Sequence, residues 1–498
     1  MHQVLIIGAG PVGLTAAIEL ARYGICVRLI DQSPRPTETS KALVLWSRTL
    51  ELLDRIGGTQ TFQDAGLRAH AASLRSGRTV LGRTHFDEIP SEYNFALMIP
   101  QSETERLLTA RLQSLGVSVE RQVTLTGFSQ LADRVEALLR HADGREERVT
   151  TKWLIGSDGA HSTVRHGLDV EFHGSAQGDE WLLADVRLAG DGAPPADEMA
   201  IYLHRDGPLA VFPIPGGRAR LIADVGKIDP NQPRPDPTQA DCQAMVDQRA
   251  GGGFRVTDPA WLTHFRINER KVSDYRRDRV FLMGDAAHIH SPAGGQGMNT
   301  GMQDAINLAW KLAMVERNQA GAVLLDSYSP ERTAVGDMVL RNATRLTDMA
   351  TLTNHAAQAA RNLVLRFALG LHAVQDKLAT AMSEIEIAYA GSPLSSGLHS
   401  GDRWAPGKYN GPPPGSGAEP RFVLYTNDGD AGAALAARFP TLVEPVPRRP
   451  DDHHHLLIVR PDGYIGFASA DDAWADAAHY LQRLAPAHAR IAGGAMLP

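Results

Sequence analysis

The chain has 498 residues, of which 21% are charged and 43% hydrophobic, and its formal net charge is −7. This length predicts two or three domains, and the composition is typical of a globular enzyme rather than a scaffold. The negative charge and the lack of basic stretches with interleaved aromatic residues argue against a nucleic-acid-binding protein.

A glycine-rich turn near the start of the chain lies between a predicted strand and a predicted helix. Val4 to Ile7 predict the strand, and Leu14 to Tyr23 predict the helix. A second apolar run, Ile25 to Ile30, ends at Asp31, whose carboxylate can accept a hydrogen bond from an adenosine ribose hydroxyl. The GxGxxG pattern alone is weak, but this setting is typical of a dinucleotide site. We expect four residues of the turn to contact a cofactor: Gly8, Gly10, Val12 and Gly13.

The apolar start of the chain is predicted to be buried protein structure. The run from Gln3 to Ile18 is broken by the glycine turn and has no basic segment before it, which argues against a signal peptide or a membrane span. Cys26 and Cys242 are the two cysteines. So few cysteines argue against a disulfide scaffold and fit a reducing compartment. We therefore expect a cytoplasmic protein with no membrane partner.

Two further segments lie in the middle of the chain. Trp153 to Ile155 predict a short strand, and Asp158 follows it in a glycine-containing turn. From about Trp181 to Val272 the sequence is rich in predicted strands. Three runs separated by glycine and proline turns predict a β-meander: Met199–Leu203, Leu209–Ile214 and Arg220–Val225.

A later segment combines a strand, an acidic residue, a turn and a helix. Val280 to Met283 predict the strand, Gly284 ends it, and the Asp285 carboxylate can accept hydrogen bonds from sugar-like hydroxyls. A turn over Pro292–Gly297 then leads into a helix that is predicted from about Asn299.

The start of this helix is suited to negative charge, because its first N–H groups have no partner within the helix and the helix dipole is positive there. A reduced flavin carries negative charge around N1 and O2. A long stretch of chain separates this segment from the first glycine turn, so the two segments suit the two ends of one long cofactor. We therefore expect FAD, rather than NAD, as the tightly held cofactor.

The composition changes again from about Gly401, where prolines and glycines indicate a linker. The region after it reads as strand, turn, strand and helix, over Leu456–Val459, Tyr464–Ala468 and Ala473–Leu484. It contains no cysteine, which excludes thiol chemistry. The three histidines His453–His455 alternate between opposite faces of an extended segment, so we expect no metal site.

These segments resemble a known family. The stretches around Gly8–Gly13, Asp158–Gly159 and Gly284–Asp285 look like the GxGxxG, DG and GD motifs of the class A flavoprotein aromatic monooxygenases, the para-hydroxybenzoate hydroxylase family, and occur in the same order. The C-terminal region resembles the thioredoxin-like domain of the larger phenol and polyketide hydroxylases.

The resemblance implies an α/β fold with three parts. A Rossmann-like FAD-binding domain would carry an inserted β-sheet substrate domain and be followed by a C-terminal thioredoxin-like α/β domain. The predicted boundaries are 1–180 for the first part of the FAD-binding domain, with a small insert near 70–98, 181–272 for the substrate-binding sheet, 273–390 for the second part with its bracing helices, and 400–498 for the C-terminal domain.

The resemblance also implies roles for individual residues. Asp158 would serve both FAD and NAD(P)H binding, Asp285 would hold the ribityl chain, and the Pro292 carbonyl would face the substrate hydroxyl at the reaction centre. The remaining cofactor-binding candidates are Lys41, Gln101, Val123, Gly284, Gly295, Gly297, Met298 and Asn299. Lys41 stands where the family more often has arginine, so a bidentate clamp on the pyrophosphate is lost there. For Gln101 a plain role at a helix start remains the alternative.

The predicted activity is that of an FAD-dependent monooxygenase. By resemblance, NAD(P)H reduces the flavin, O2 gives a C4a-hydroperoxide, and one oxygen passes to a phenolic or polycyclic, polyketide-like aromatic substrate. Residues on or near the predicted sheet that could line the substrate pocket are Tyr202, His204, Arg205, Phe212 and Arg220. Strand alternation sends half of such residues away from a pocket, so a core or solvent role stays open for each.

Other functions remain open at this point. A Baeyer–Villiger or epoxidising monooxygenase would use the same fold, a non-catalytic module would bind flavin without turnover, and a nicotinamide dehydrogenase would be colourless. We expect a small aromatic substrate, O2 and NAD(P)H as partners, no nucleic acid, and a packing or homodimer role for the C-terminal domain.

Overall fold

A computed structural model describes residues 2–38, 42–227, 234–351, 355–451 and 454–486. The strands are β1 (Val4–Ile7), β2 (Val27–Asp31), β3 (Val44–Leu45), β4 (Leu67–Ala69), β5 (Ala71–Ser76), β6 (Thr79–His85), β7 (Ala96–Met98), β8 (Val119–Arg121), β9 (Val123–Gln130), β10 (Val135–His141), β11 (Glu146–Thr151), β12 (Trp153–Gly156), β13 (Phe172–Ala189), β14 (Glu198–Tyr202), β15 (Leu209–Ile214), β16 (Arg218–Lys227), β17 (Arg255–Val272), β18 (Arg276–Arg277), β19 (Val280–Leu282), β20 (His288–Ile289), β21 (Ser396–Gly397), β22 (Val423–Thr426), β23 (Leu456–Val459) and β24 (Ile465–Ser469). The helices are α1 (Pro11–Arg22), α2 (Ser47–Asp54), α3 (Thr59–Ala65), α4 (Gln101–Ser114), α5 (Thr163–Gly167), α6 (Gln239–Ala250), α7 (Gly297–Glu316), α8 (Val323–Asp326), α9 (Tyr328–Ala350), α10 (His355–Ala368), α11 (His372–Met382), α12 (Gly429–Arg438) and α13 (Trp474–Leu484).

One sheet contains the strands that precede the glycine turn of Gly8–Gly13 and the turn of Gly284–Asp285, and this brings the two turns close together. Its order is β18-β19-β12-β1-β2-β8, with β1, β2, β8, β12 and β19 parallel and β18 antiparallel at one edge. In this register Val4 pairs with both Val27 and Trp153, and Leu154 pairs with Val280. Ligands bind such sheets at the carboxyl ends of the strands. The turns that follow β1, β2, β12 and β19 therefore lie along one edge.

Two boundaries near the N-terminus differ from the sequence predictions. α1 begins at Pro11, not at Leu14, because proline at the first helical position lacks only an N–H that would have no partner there. Half of the glycine motif is therefore the first turn of the helix. The second strand covers Val27–Asp31 rather than Ile25–Ile30, so Asp31 is its last residue.

A second sheet has eight strands in the order β20-β17-β13-β16-β15-β14-β5-β6. The meander predicted from the sequence is confirmed, with β14, β15 and β16 antiparallel neighbours. The sheet extends beyond residues 181–272, since β13 begins at Phe172 and the hairpin of β5 and β6, from the insert near 70–98, joins the sheet beside β14. The domain boundaries themselves stay a prediction.

The two faces of this second sheet are covered differently. One face packs under α6 in a core that includes Leu182, Val211, Leu221 and Val246. The other face contributes Met199, Ile214 and Phe212 to a separate cluster around Trp46, with α11 residues on its outside. Strand alternation places neighbouring residues of each strand on opposite faces.

The C-terminal part of the chain forms a four-stranded sheet, in the order β21-β24-β23-β22, with α12 and α13. β23 covers Leu456–Val459 as predicted, while β21 adds a strand from before residue 400. His453, the first of the three histidines, lies outside the described residues. The α/β class predicted from the sequence is confirmed. Across the described ranges, no helix has both the length and the apolar character needed to cross a membrane.

Candidate functional site

The first glycine turn combines close packing with one open position. A Cβ at Gly8, where φ is +98°, would lie 2.4 Å from the Ser157 carbonyl oxygen, and a Cβ at Gly13 would lie 1.9 Å from the Gly8 carbonyl oxygen. Both positions therefore require glycine. At Gly10 no described atom lies within 4 Å of the point that a Cβ would occupy, so the backbone there is open to a ligand.

Asp31 is held at the end of β2 by the backbone of neighbouring turns. Its Oδ2 accepts a hydrogen bond from the Ala9 N–H at 2.7 Å, and its Oδ1 accepts one from the Ser33 N–H at 2.7 Å. Arg121 lies 3.6 Å from the same carboxylate. The carboxylate is thus fixed beside the glycine turn, and each of its oxygens keeps a further lone pair for a hydroxyl.

Val12 joins three separated parts of the chain. Its Cγ2 lies 2.9 Å from where a Cβ at Gly284 would be and 2.7 Å from where one at Gly301 would be. Glycine at both positions lets the first turn of α1 contact the turn after β19 and the first half of α7.

The buried carboxylate of Asp304 holds the turn after β19 in place. The Gly284 N–H donates to Asp304 Oδ2 at 3.0 Å, and His288 Nε2 lies 2.8 Å from the same oxygen. Burial opposes ionisation of Asp304, but the charges of Arg332 and His288 hold the pKa of this carboxyl below its usual value. The Asp285 side chain, by contrast, is exposed at the sheet edge.

The start of α7 presents backbone rather than charge. The helix begins at Gly297, two residues before the predicted Asn299, and Gln296 is its N-cap. The described residues provide no side-chain capping hydrogen bond there, and the first turn contains no acidic residue. The Asn299 side chain accepts from the Trp46 N–H at 2.9 Å and donates to Val44 and Gly295 carbonyl oxygens at 2.9 and 3.0 Å. The side chain is used for structure, and the backbone remains for a ligand.

The turn before α7 is closed by hydrogen bonds to carbonyl groups. The Pro292 carbonyl oxygen accepts from the Gly295 N–H at 2.9 Å, and the Gly294 carbonyl oxygen accepts from Trp46 Nε1 at 2.9 Å. Gly295 has φ +64°, and a Cβ there would lie 2.5 Å from Val44. The Pro292 carbonyl keeps one lone pair free of this turn.

His290 is a neutral side chain next to the start of α7. Burial first, and then His288, lower the pKa of His290 to about 4. Its Nδ1 donates to the Ser291 carbonyl oxygen at 2.8 Å, and its buried Nε2 has no hydrogen-bond partner among the described residues. This Nε2 lies 3.3 Å from the position of a Cβ at Gly297.

Asp158 lies in the turn after β12 and is hydrogen-bonded within its own loop. Its Oδ1 accepts from Ser162 Oγ at 2.5 Å, and its Oδ2 accepts from the Val164 N–H at 3.2 Å. Burial raises the pKa of Asp158. Arg165 connects this loop to the turn after β19, because it donates to the Ala160 and Ala286 carbonyl oxygens at 2.9 and 3.2 Å.

Sequence reasoning missed a pair of cationic residues beside Asp158. Arg165 is 3% exposed, and burial first, and then the neighbouring charge of Arg270, lower its pKa. The Nε atoms of both arginines are buried without a hydrogen-bond partner in the part of the chain that the structure describes. Two guanidinium groups close together favour an anionic ligand. The sequence around Asp158 and Arg165 does not predict a pair of arginines, because the second one, Arg270, comes from the distant strand β17.

Two of the three remaining cofactor-binding candidates lie within the described residues, near the first sheet. Gln101 is the first residue of α4, where it does not cap the helix but donates to Glu105 Oε1 at 2.9 Å. Val123 is buried at the start of β9, directly after Gln122 with φ +57°. Lys41 lies outside the described residues.

The substrate candidates are divided between the two faces of the second sheet. Tyr202 packs in the core beneath α6, whereas Phe212 packs against the cluster around Trp46 on the opposite face. Arg220 pairs directly with Phe212 across β15 and β16 and so shares its face. Arg205 is exposed in the turn after β14, next to His204. Strand alternation counted from Phe212 places Tyr202 on the opposite face, so the sequence pattern already contained a signal for this division.

Arg220 is buried in spite of its charge. It is 2% exposed, and its Nε and Nη2 donate to Asp185 Oδ1 and Oδ2 at 2.7 and 2.8 Å. Its guanidinium also lies 5.5 Å from the ring centre of Trp261. The charge of Arg220 is therefore paired within the sheet, on the face that carries Phe212.

Known proteins resemble this chain over most of its length. A family model described as FAD binding domain matches residues 1–343. The 6-methylpretetramide 4-monooxygenase of Streptomyces rimosus is 36% identical over 505 residues, covering 93% of this chain and 90% of that protein. The pentachlorophenol 4-monooxygenase of Sphingobium chlorophenolicum is 36% identical over 348 residues, covering 68% of this chain and 63% of that protein. Among solved structures, the OxyS anhydrotetracycline hydroxylase from Streptomyces rimosus aligns with a TM-score of 0.79 and 30% identity, covering 97% of this chain and 99% of that one.

These similarities confirm the FAD-binding α/β fold and the resemblance that the sequence motifs indicated, and they identify the enzyme class. The chain belongs to the FAD binding domain family, and it is an FAD-dependent monooxygenase of the aromatic hydroxylase class, with NAD(P)H as its co-substrate.

Proposed function

We propose that this enzyme hydroxylates a phenolic or polycyclic, polyketide-like aromatic substrate that lies between the start of α7 and the sheet face of Phe212. One observation carries the proposal: the glycine turn after β1, the acidic turns after β12 and β19, and the start of α7 all lie along one edge of the parallel sheet. Two relatives are named for 6-methylpretetramide and pentachlorophenol, which supports an aromatic substrate.

The FAD pyrophosphate would lie against the open backbone of Gly10, at the start of α1. Gly8 and Gly13 permit the tight turn, and Val12 holds it against Gly284. Asp31 would accept hydrogen bonds from the adenosine ribose, as its fixed carboxylate is suited to do. Gln101 and Val123 would border the same side.

We call the turn of Gly8–Gly13, the turn of Gly284 and Asp285 and the first turn of α7 together the cofactor cradle. The flavin end would lie at the side of the cradle that α7 forms. The exposed Asp285 carboxylate suits the ribityl hydroxyls, and the backbone of Gly295, Gly297, Met298 and Asn299 suits the pyrimidine edge. The free N–H groups of an uncapped helix start, with no acid in the first turn, match the negative charge of a reduced flavin. These features fit FAD better than a long cofactor whose ring carries no negative charge.

When bound, the flavin supplies electron transfer from NAD(P)H and the activation of O2. The residues of this chain orient the reactants and exclude water. Trp46, Phe212 and Met199 form the apolar wall, and the Pro292 carbonyl offers a lone pair to a substrate hydroxyl. Arg165 and Arg270, which lie beside Asp158, would attract the anionic part of NAD(P)H.

A substrate screen tests the proposed activity. Purified holoenzyme is incubated with NAD(P)H, ¹⁸O2 and a panel of phenols and polycyclic phenols, and NAD(P)H consumption, peroxide release and product mass are measured together. The proposal expects a ring-hydroxylated product that carries one ¹⁸O. Oxygen inserted into a ring bond or an epoxide would instead show one of the alternative monooxygenase reactions, and bound FAD without any turnover would show a non-catalytic module.

A pair of variants tests the position of the substrate. Phe212→Ala removes an aromatic ring from the proposed wall, and we expect KM for the aromatic substrate to rise about tenfold, as expected for loss of one buried ring contact. Tyr202→Phe changes the opposite face and should leave KM within about twofold. Equal effects of the two substitutions would contradict the assignment of the face.

The location and assembly of the enzyme are proposals of the same kind. Two free cysteines, Cys26 and Cys242, support work in the cytoplasm. A homodimer is proposed from the presence of the C-terminal domain, and light scattering of the purified holoenzyme measures it.

A further inference from the structure

A cluster of charges with no access to solvent lies behind α7. We call it the anchor cluster, and it consists of Lys311, Glu331, Arg460 and Asp462, whose side chains are 0 to 3% exposed. Arg460 binds Glu331 with two hydrogen bonds of 2.7 and 2.9 Å and binds Asp462 at 2.7 Å. Lys311 of α7 lies 2.7 Å from the same Glu331 carboxylate. Two cations and two anions are thus paired with each other in a buried position.

The anchor cluster brings together three parts of the chain. Lys311 belongs to α7, Glu331 belongs to α9, and Arg460 and Asp462 belong to the turn between β23 and β24 of the C-terminal sheet. Trp310 of α7 adds a hydrogen bond from Nε1 to Asp462 Oδ2 at 3.1 Å. The C-terminal sheet is therefore attached directly to the long helix whose first turn faces the cofactor.

Tyr389 extends these contacts toward the start of α7. The Arg460 guanidinium lies 5.0 Å from the centre of the Tyr389 ring, and this ring lies 4.4 Å from that of Tyr464 in the C-terminal sheet. The Tyr389 hydroxyl accepts a hydrogen bond from Arg332 Nη1 at 2.8 Å. Arg332 is fully buried, so this hydroxyl satisfies a guanidinium N–H that water cannot reach.

Arg332 in turn holds two parts of the cofactor cradle. Its Nη2 donates to the Thr300 carbonyl oxygen at 3.0 Å in the first turn of α7, and its Nε donates to Asp304 Oδ1 at 2.5 Å. Asp304 accepts the Gly284 N–H through its other oxygen. One guanidinium thus sets the position of the helix start relative to the turn of Gly284 and Asp285.

We propose that the C-terminal domain is a positioning element of the cofactor site, which acts through Arg460, Tyr389 and Arg332 to fix the first turn of α7 against Gly284. These three are positioning residues, since none of them lies at the open edge of the sheet. This gives a domain without any cysteine a defined role in the reaction. The inference rests on the proposed placement of the flavin at the start of α7.

Two tyrosine-to-phenylalanine substitutions test the inference. Tyr389→Phe removes only the hydroxyl that Arg332 requires. Tyr425→Phe is the matched control, because Tyr425 is also fully buried in the C-terminal sheet and its hydroxyl donates a hydrogen bond to the Tyr409 carbonyl oxygen at 2.9 Å. The Tyr425 ring packs edge-on against Trp404, within the same domain and away from α7.

Full-length protein is measured by FAD titration, by the midpoint potential of the bound flavin and by thermal unfolding. We expect Tyr389→Phe to raise the Kd for FAD about tenfold and to shift the flavin potential, because a buried charged donor loses its partner. Tyr425→Phe should lower Tm by a similar amount but leave the Kd within about twofold. Arg460→Lys, which keeps the charge but loses the bidentate bond, should shift the Kd in the same direction and less.

The outcomes separate this inference from the proposed function. If wild-type protein does not bind FAD at all, the proposed function fails before any variant is compared. If the wild type binds FAD and both tyrosine variants leave the Kd and the potential unchanged, or change them equally, the C-terminal domain does not position the site and the inference is wrong.

Discussion

The proposed cofactor cradle lies at the start of α7, the anchor cluster contacts the second half of the same helix, and the two regions are built from different groups. The cradle is made of glycine and backbone groups, with an uncapped helix start and no acidic residue in its first turn. The anchor cluster is made of paired charges that are almost completely buried. The difference indicates where the charges of each region come from. In the proposed cradle the bound cofactor would supply the charge, whereas in the anchor cluster the protein supplies both signs.

The comparison also indicates where mutations matter for folding and where they matter for binding. A buried charge that loses its partner is strongly destabilising, whereas an open backbone position can change without much effect on the empty protein. Substitutions in the anchor cluster should therefore reduce stability first, and substitutions at the open position of the cradle should reduce cofactor affinity first.

The largest expected effect is on the anchor cluster itself. Glu331→Gln leaves Arg460 and Lys311 with Asp462 as the remaining carboxylate of the cluster. We expect the free energy of unfolding to fall by about 3–5 kcal/mol, the cost typical of an unpaired buried charge, measured by urea denaturation. Glu38→Gln is the control, because its pair with Arg35 is 68–72% exposed. It should change the stability by less than about 1 kcal/mol, and a similar loss in both variants would remove the contrast between buried and exposed pairs.

The second prediction concerns pH. Burial raises the pKa of Glu384 to about 8, although Thr300 and Gln303 donate hydrogen bonds to it. The unfolded carboxyl ionises near its ordinary pKa while the folded one stays protonated, so stability falls as the pH rises from about 5 to about 8, by at most about 1.4 kcal/mol per pH unit from this group. Above the folded pKa this contribution levels off.

Substituting the side chain isolates its share of the pH dependence. Glu384→Gln should flatten the fall in stability between these pH values, because a neutral amide does not titrate. Glu386→Gln, at an exposed position two residues away, is the control for the loss of a carboxylate in this segment. Parallel profiles for wild type and Glu384→Gln would show that Glu384 ionises normally in the folded protein.

A smaller effect is expected in the cradle. Gly10 has φ −75° and open space around its Cβ position, so Gly10→Ala should leave the Tm of the apoprotein nearly unchanged. The added methyl group would obstruct the proposed approach of the pyrophosphate, and we expect the Kd for FAD to rise about tenfold, or about 1.4 kcal/mol. Gly13→Ala should instead destabilise the fold, because its Cβ would clash with the Gly8 carbonyl oxygen. Unchanged FAD affinity in Gly10→Ala would contradict the proposed cofactor position.

Local patterns predicted several strands of the three main sheets well. The strand Val4–Ile7, the meander and the strand Leu456–Val459 all follow from hydrophobic periodicity and turn residues. Boundaries were less accurate, as at α1 and α7, where a helix begins inside a glycine-rich turn. Glycine and proline suggest a turn locally, yet both are compatible with a first helical turn whose N–H groups need no partner within the helix.

The sequence could not reveal the contacts that depend on distant segments. Glu331 and Arg460 are 129 positions apart, and Arg165 and Arg270 come from different elements, so no local spacing connects them. The division of Tyr202 and Phe212 between two faces was present in the strand alternation, but which face meets α7 depends on how the sheet packs. The addition of β5 and β6 to the second sheet is a further nonlocal result.

Val12 has a consequence for protein engineering. Its isopropyl group fits against Gly284 and Gly301, residues that are far from it in the chain. A designer who transfers this coenzyme motif to another scaffold must therefore transfer all three positions together, because a larger side chain at any one of them would push the segments apart.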